Sequence, residues 1–240
     1  MINKLEWDSE FFGYPVGEVG SEYSHKQLLE EWRYNLSNFK LVYKYSESKI
    51  QDQTNKDFSY YLVDTRMPFR KKVSFKKLHK SIVEYDGDIP NEQLVDLAQL
   101  AGIHSRFRRD DNISNDQFKN FYRIWIEKSV QGVLADKVFV YMVDRNIVGF
   151  ATVKINGENG VAPLFAVNRA FEGKGVSFAL MNAVEGFIYS QDSRYLVSST
   201  QGINKKAIKV YERFGCKFEK ESYVYHLWNH KLVPMDNSFF

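Results

Sequence analysis

Residues 171–180, "FEGKGVSFAL", set Gly173 and Gly175 between an apolar run that reads as a strand, "VAPLFAV" (161–167), and an apolar stretch that reads as a helix from about Gly175 to Tyr189. Three chemistries use a strand, a glycine turn and a helix in that order. A nucleotide P-loop needs four residues between its first glycine and a Gly-Lys-Ser/Thr, and "EGKGVS" has neither the order nor the spacing. A dinucleotide fingerprint needs Gly-x-Gly-x-x-Gly, whereas Phe178 stands at the third position and no acidic residue closes a second strand some twenty residues later. A nucleophile elbow, Gly-x-Ser-x-Gly, comes within one methyl group, since Gly175-Val176-Ser177-Phe178-Ala179 is followed by Asp192 and His226 in hydrolase order. Yet 63 residues follow Ser177, too few for the further strand–helix units that carry the acid and the histidine, and no "HGGG"-like segment precedes it. An anion cradle fits. Backbone N–H groups of the turn converge with the positive end of the helix, and glycine lets the ligand approach the main chain.

Outward from the turn, the second half of the chain has a regular rhythm. "KVFVYMV" (137–143) and "IVGFATVKI" (147–155) flank "DRN" as a hairpin, and "NGENG" leads into a third strand, "VAPLFAV". After the turn and its helix come a strand "YLVSST" (195–200), a helix "NKKAIKVYERFG" (204–215) and a last strand "SYVYHLW" (222–228). A mixed central sheet flanked by helices, of α+β or α/β class, is the expectation. Ahead of it, Ser114 with Gln117 opens an amphipathic helix in which Phe118, Phe121, Tyr122, Trp125 and Ile126 share a face, and "DGDIPNEQLVDLAQLAG" (86–102) reads as a bridging helix. The first hundred residues read as strands at "INKLEW", "FKLVYKY" and "FSYYLVD" with a helix over "SHKQLLEEWRYNL", Ser24 and Gln27 forming its capping box. Two domains are expected: a smaller α+β domain over 1–100 and a catalytic domain over 101–240.

Composition narrows the function classes. The chain has 240 residues, 44% of them apolar, enough for a substantial core. No run suits a membrane span and no stretch reads as a signal peptide, so a cytoplasmic location away from membranes is expected. Cys216 is the single cysteine and reads as a small apolar group. A net charge of +3 gives no case for nucleic acid. Locally, "RMPFRKKVSFKKLHK" (66–80) carries seven Lys and Arg and no carboxylate, which suits either a polyanionic ligand or a solvated sheet edge.

These motifs resemble the coenzyme A site of the GNAT N-acetyltransferase superfamily, whose turn reads Gln/Arg-x-x-Gly-x-Gly/Ala. Here Glu172 stands at the first position, Gly175 matches and Ser177 takes the last; a carboxylate at 172 repels a pyrophosphate unless it points away. Asn204, Ala207, Tyr211 and Gly215 reproduce the family's Asn-x-x-Ala-x-x-x-Tyr-x-x-x-Gly on one helix. "LEWDSEFFGYPVG", "YYLVDTRMPFRKK" and "IHSRFRRDDNIS" ahead of "FYRIWIEKSVQG" are similar to the subgroup that acylates dTDP-linked amino sugars, such as the fucosamine acetyltransferase, so the resemblance spans nearly the whole chain and makes the first domain a partly truncated acyltransferase-like unit.

The resemblance implies an acyl transfer from acetyl-CoA, or from a longer donor such as 3-hydroxybutyryl-CoA, to the amine of a dTDP-amino sugar in surface polysaccharide or lipopolysaccharide biosynthesis, without metal or tightly bound cofactor. By the same resemblance a backbone N–H in Phe165, Ala166 or Val167 polarises the thioester carbonyl. Glu172, Gly173, Lys174, Gly175, Val176 and Ser177 hold the pyrophosphate, and Asn204 contacts the donor. Tyr211 protonates the departing sulfur, a phenol of pKa about 10 being matched to a thiolate of similar basicity; on residue pattern alone it is equally a core aromatic. For the acceptor, Ser105, Arg106 and Phe107 are candidates, with Arg106 on a phosphate or bridged to Asp110, and Asp64 and Arg66 of "VDTR" on the thymine edge. Glu84, Asp110, Asp111 and Glu158 are available as bases and none is singled out; His104 reads as a substrate contact or a helix-end cap. Acylation of a protein N-terminus or small amine, and a non-catalytic coenzyme A-binding module, remain alternatives, and a homodimer exchanging its terminal strands is a further expectation left open.

Overall fold

The computed structural model describes residues 2–24, 26–28, 30 and 38–232. The chain divides into two compact units, one of residues 1–66 with 221–240 and one of 67–220. The boundary expected near residue 100 therefore falls inside the second unit, and the last strand belongs to the first.

In the first unit the order across the sheet is β1 (Asn3–Lys4), β2 (Val16–Val19), β3 (Leu41–Ser46), β13 (Ser222–Asn229) and β5 (Phe58–Lys72), whose residues through Arg66 lie here; β4 (Gln53–Thr54) pairs with β5. β13 runs antiparallel to both β3 and β5, with Tyr225 opposite Lys44 on one side and Leu62 on the other. "INKLEW" is a strand for two residues only. Glu6–Phe12 form helix α1, which has acidic residues in its first turn and closes on Gly13 in the left-handed region. The helix expected from Ser24 keeps its capping box, Gln27 N–H donating to Ser24 Oγ at 3.2 Å and Ser24 N–H to Gln27 Oε1 at 3.0 Å; most of its remaining length lies outside the described residues. The core here gathers Val19, Leu28, Val42, Tyr60, Tyr223, Tyr225 and Leu227.

In the second unit, from Met67 on, the order is β5, β11 (Tyr195–Gln201), β9 (Asn159–Val161), β8 (Asn146–Asn156), β7 (Lys137–Val143) and β6 (Ile82–Glu84). The β7–β8 hairpin turns on Asp144 and Arg145, both at positive φ, as its tight connection requires. Residues Ile147–Val153 of β8 are all buried, the pattern of a strand covered on both faces. Helix α2 (Glu92–Ala101), with Asn91 Oδ1 accepting from Leu94 N–H at 2.9 Å, packs on β8 and on α4 (Asn115–Val130), which starts on the expected Ser114–Gln117 capping box. Helix α5 (Val176–Ser190) packs on β7, β8 and β11 and supplies more of the core than any other element, from Val176 through Leu180 and Val184 to Ile188. Short helix α3 (Arg106–Arg109), helix α6 (Lys205–Arg213) and β12 (Lys217–Phe218), paired to β5, complete the unit. Among the described residues no helix is long and apolar enough to cross a membrane.

The expected third strand "VAPLFAV" is broken, and the break makes the site. Pro163 lies between β9 and β10 (Phe165–Val167). β9 pairs antiparallel with β8 and parallel with β11, whereas β10 pairs with β8. Contact between this strand and β11 reaches Ala162, whose N–H donates to Val197 O at 3.1 Å, and beyond it the two strands part.

Candidate active site

Where β10 leaves β11, a groove of about 760 Å³ opens, lined by residues of the second unit alone. Its floor is Phe165, Ala166 and Val167. In the ladder with β8, Thr152 N–H donates to Leu164 O at 2.9 Å and Asn168 N–H to Val148 O at 2.8 Å. Antiparallel alternation then turns the N–H groups of Phe165 and Val167 away from β8, toward the gap.

One wall is the glycine turn. Gly173 and Gly175 have φ of 75° and 83°, a region that costs any other residue, and a Cβ at either would meet nothing within 4 Å. Strain, not crowding, demands glycine. Gly175 caps α5 without a side-chain bond, and among the described residues the amides of Gly173, Gly175, Val176, Ser177 and Phe178 donate to no protein acceptor. They form a ready anion site at a helix start. Glu172 lines the groove but is neutralised by Lys206, whose Nζ lies 2.6 Å from Oε2. Gly173, Gly175 and Ser177 line the groove too; Lys174 does not, its ammonium lying over the Phe171 ring at 4.9 Å and its N–H donating to Phe171 O at 3.4 Å, and Val176, buried in the core, offers the site its main chain alone.

The opposite wall is α6. Asn204 caps it, accepting from Ala207 N–H at 3.2 Å, so its side chain starts the helix as well as lining the groove. Lys206, Lys209 and Arg213 of α6 and Arg169 of the 3-10 turn Arg169–Phe171 give the groove a cationic rim. Tyr211, one turn beyond Ala207, is 7% exposed and lines it with Val210. Its ring stacks on Phe69 at 5.2 Å, and its hydroxyl lies 2.7 Å from Ser198 Oγ, which donates to Ala162 O at 3.2 Å. Ser198 has a single proton, so while it serves Ala162 the phenol is the donor in the Tyr211–Ser198 bond. Burial raises the phenol's pKa above 10, with the Ser198 bond pulling the other way, so Tyr211 stays protonated through the neutral range.

The acceptor-side expectations fare differently. Ser105, the N-cap residue of α3, is 6% exposed, and its Oγ has no hydrogen-bond partner among the described residues. Phe107 is buried against Phe121 at 4.2 Å and carries the Arg106 guanidinium over its ring at 4.7 Å, so it is a core ring and not an open stacking face. None of these three lines the groove; their neighbours Leu100, Ile103 and His104 do. Asp64 and Arg66 belong to the first unit, opposite Val224 and Ser222 in the sheet. The basic stretch 66–80 is no free polyanion surface at its centre. Arg70 lies over the Tyr195 ring at 4.0 Å and donates to Asn159 at 3.0 Å, and Lys71 is paired with the buried Glu185. Cys216 is buried and its pKa is pushed up to about 11, chiefly by burial, so it is a packing group.

Comparison with known proteins agrees with this geometry. Residues 100–216 match the family model described as Acetyltransferase (GNAT) family. Over 137 residues the chain is 28% identical to the spore coat polysaccharide biosynthesis protein SpsD of Bacillus subtilis (strain 168), covering 57% of this chain and 47% of that protein. The chain thus spans about half the length of this curated relative. Among solved structures, a putative GNAT-family acetyltransferase from Novosphingobium aromaticivorans aligns with a TM-score of 0.51 at 9% identity, covering 79% of this chain and 74% of that one. A GCN5-related N-acetyltransferase from Sphaerobacter thermophilus aligns with a TM-score of 0.50 at 16% identity, over 90% and 73%. At these identities the structures speak for the fold.

Proposed function

We propose that the protein, whose residues 100–216 match the family model described as Acetyltransferase (GNAT) family, is an acyl-CoA-dependent N-acyltransferase that moves the acyl group to the amine of a dTDP-linked amino-deoxy sugar. One observation carries the catalytic half: a protonated, buried Tyr211 shares a groove with the free amides of the glycine turn and with the parted edge of β10. The pyrophosphate of coenzyme A sits on the amides of Gly173 and of Gly175 to Phe178, Lys206 having cancelled Glu172. The pantetheine arm runs through the gap, and the N–H of Phe165 or Val167 holds the carbonyl oxygen as it becomes an oxyanion. When the carbon–sulfur bond breaks, the electron pair goes to sulfur and the Tyr211 proton follows it. Ser198 then turns from Ala162 to donate to the phenolate.

The sugar half rests on two supports of a coarser kind. SpsD is named for polysaccharide biosynthesis. In addition, Arg169, Lys209 and Arg213 stand on the groove beside the paired Lys206, a cationic edge that suits phosphate-bearing substrates. Whether the donor is acetyl-CoA or 3-hydroxybutyryl-CoA is decided by product mass, and which ring carbon bears the amine by which of the 3-amino and 4-amino acceptors is turned over. Free coenzyme A at 100-fold over its Kd is expected to raise the melting temperature by roughly 5–10 °C. Acetyl-CoA with 3-amino and 4-amino dTDP-dideoxyhexoses is expected to release thiol. No melting shift would sink the acyl-CoA site; a shift with thiol release only to peptide or polyamine acceptors would sink the sugar.

A further inference from the structure

The acceptor nitrogen must shed a proton, and the carboxylates available for it in the sequence are spoken for elsewhere. Glu84 is bonded to Lys137 at 2.5 Å, and Glu158 is paired with Arg194 at 3.0 Å. Asp110 is 1% exposed and takes the N–H groups of Asn112. Neither these nor Asp111 lines the groove; Glu172 does, but it is held by Lys206. His104 remains.

It lines the groove with Tyr211 and makes no hydrogen bond among the described residues, so the helix-end cap that its position suggests is not formed. Its backbone is firmly seated. Ser105 N–H donates to Gly102 O at 2.8 Å, and Ser105 O accepts from Arg108 and Arg109 at 3.1 Å each. Gly102 presses against α4, where a Cβ would lie 2.3 Å from the Tyr122 ring. An imidazole open to the groove on a pinned turn is what a proton acceptor needs.

We propose that His104 is the base that takes the proton from the acceptor amine, an assignment that rests on the acyl-transfer reading above. The bound ammonium loses its first proton to solvent, and its lone pair forms the N–C bond. The tetrahedral nitrogen passes its second proton to His104 as the C–S bond breaks and sulfur takes the Tyr211 proton. His104 then releases a proton to solvent and Tyr211 regains one, leaving amide, free thiol and one net proton. Burial, with the charges of Arg109, Arg169 and Lys206, holds the imidazole below its ordinary pKa, so it is neutral and able to accept at pH 7. Glu172 and Tyr211 also face the groove, the first paired and the second uncharged. Phosphates seated among those cations remove part of the repulsion and raise the imidazole toward its usual range.

Steady-state thiol release by wild type, His104→Gln and His104→Ala decides it. Both variants are expected to lose about 10²- to 10³-fold in kcat, with the KM for acetyl-CoA and the melting shift with coenzyme A retained. The wild-type acid limb of kcat/KM, lying below the ordinary histidine range, disappears in His104→Gln. Added imidazole restores turnover to His104→Ala in proportion to its concentration, which a merely structural role would not permit. A glutamine variant within threefold of wild type with its acid limb in place overturns the assignment. If wild type accepts another amine and no amino sugar, the acceptor class falls while the same comparison is run on that amine; if no amine yields thiol, the assignment falls with the acyl-transfer reading.

Discussion

Tyr211→Phe is expected to lower kcat about 10²- to 10⁴-fold while leaving the KM for acyl-CoA near its wild-type value. The substitution deletes one oxygen and little else. The ring keeps its stack on Phe69, and Ser198 keeps Ala162 O as acceptor, so the cost in stability is about 1 kcal/mol, that of one exchanged hydrogen bond. The proposed donor contacts, the amides of the glycine turn and Asn204, are untouched. On the proposed mechanism the substitution removes the proton delivered to sulfur, an interaction made only as the carbon–sulfur bond breaks, and losses of that kind fall on kcat. Ser198→Ala is expected to do less, about tenfold, because the phenol survives and loses one hydrogen-bond partner, the hydroxyl that accepts from it at rest and steadies its anion. The pH profile carries the same sign. A phenol raised above 10 by burial is still protonated where free tyrosine begins to ionise, so the basic limb of kcat lies above the ordinary tyrosine range and is further raised without Ser198. A phenylalanine variant within threefold of wild type would remove Tyr211 from the mechanism.

Legibility in the sequence tracks the range of the interactions involved. The glycine turn, both complete capping boxes and the face of α4 are legible because each is set within a few residues. "INKLEW" reads as strand although Gly13 already marks a helix end seven residues on; aromatic Trp7, Phe11 and Phe12 look like strand residues, and only their stacking, Trp7 on Phe11 at 5.3 Å, shows them one turn apart. Pro163 is a local sign of a break in "VAPLFAV". The parting from β11 has no local sign, since it depends on a strand more than thirty residues away. The Glu172–Lys206 pair joins residues 34 apart in sequence, so the turn looks repulsive to a pyrophosphate when it is neutral. Within "IHSRFRRDDNIS" the residues named for the acceptor, Ser105 and Phe107, are buried while their neighbours His104 and Ile103 line the groove, because one residue of a tight turn decides which way each points.

The second large effect is expected on stability. Glu185 stands on α5 with no exposed surface, and its carboxylate accepts from Lys71 Nζ, from Ser74 N–H at 2.9 Å and from Ser74 Oγ at 3.0 Å. Lys71 in turn lies over the Phe214 ring at 4.5 Å, just past α6, so this one cluster ties β5, α5 and the end of α6, the elements that hold both walls of the groove. Glu185→Leu leaves a largely buried ammonium and two Ser74 donors without an acceptor, and is expected to cost about 3–5 kcal/mol in urea unfolding. Lys71→Met strands the carboxylate and is expected to cost a similar amount. Removing both charges at once should recover most of the loss, because the pair's own attraction largely offsets the desolvation it demands, whereas a lone buried charge has nothing to set against it. The coupling read from the double-mutant cycle should therefore exceed either single loss and approach the sum of the two. Additive losses in the double variant would mean that the two side chains act separately, and that the walls of the groove are held together by apolar packing around Leu180 and Val184 alone.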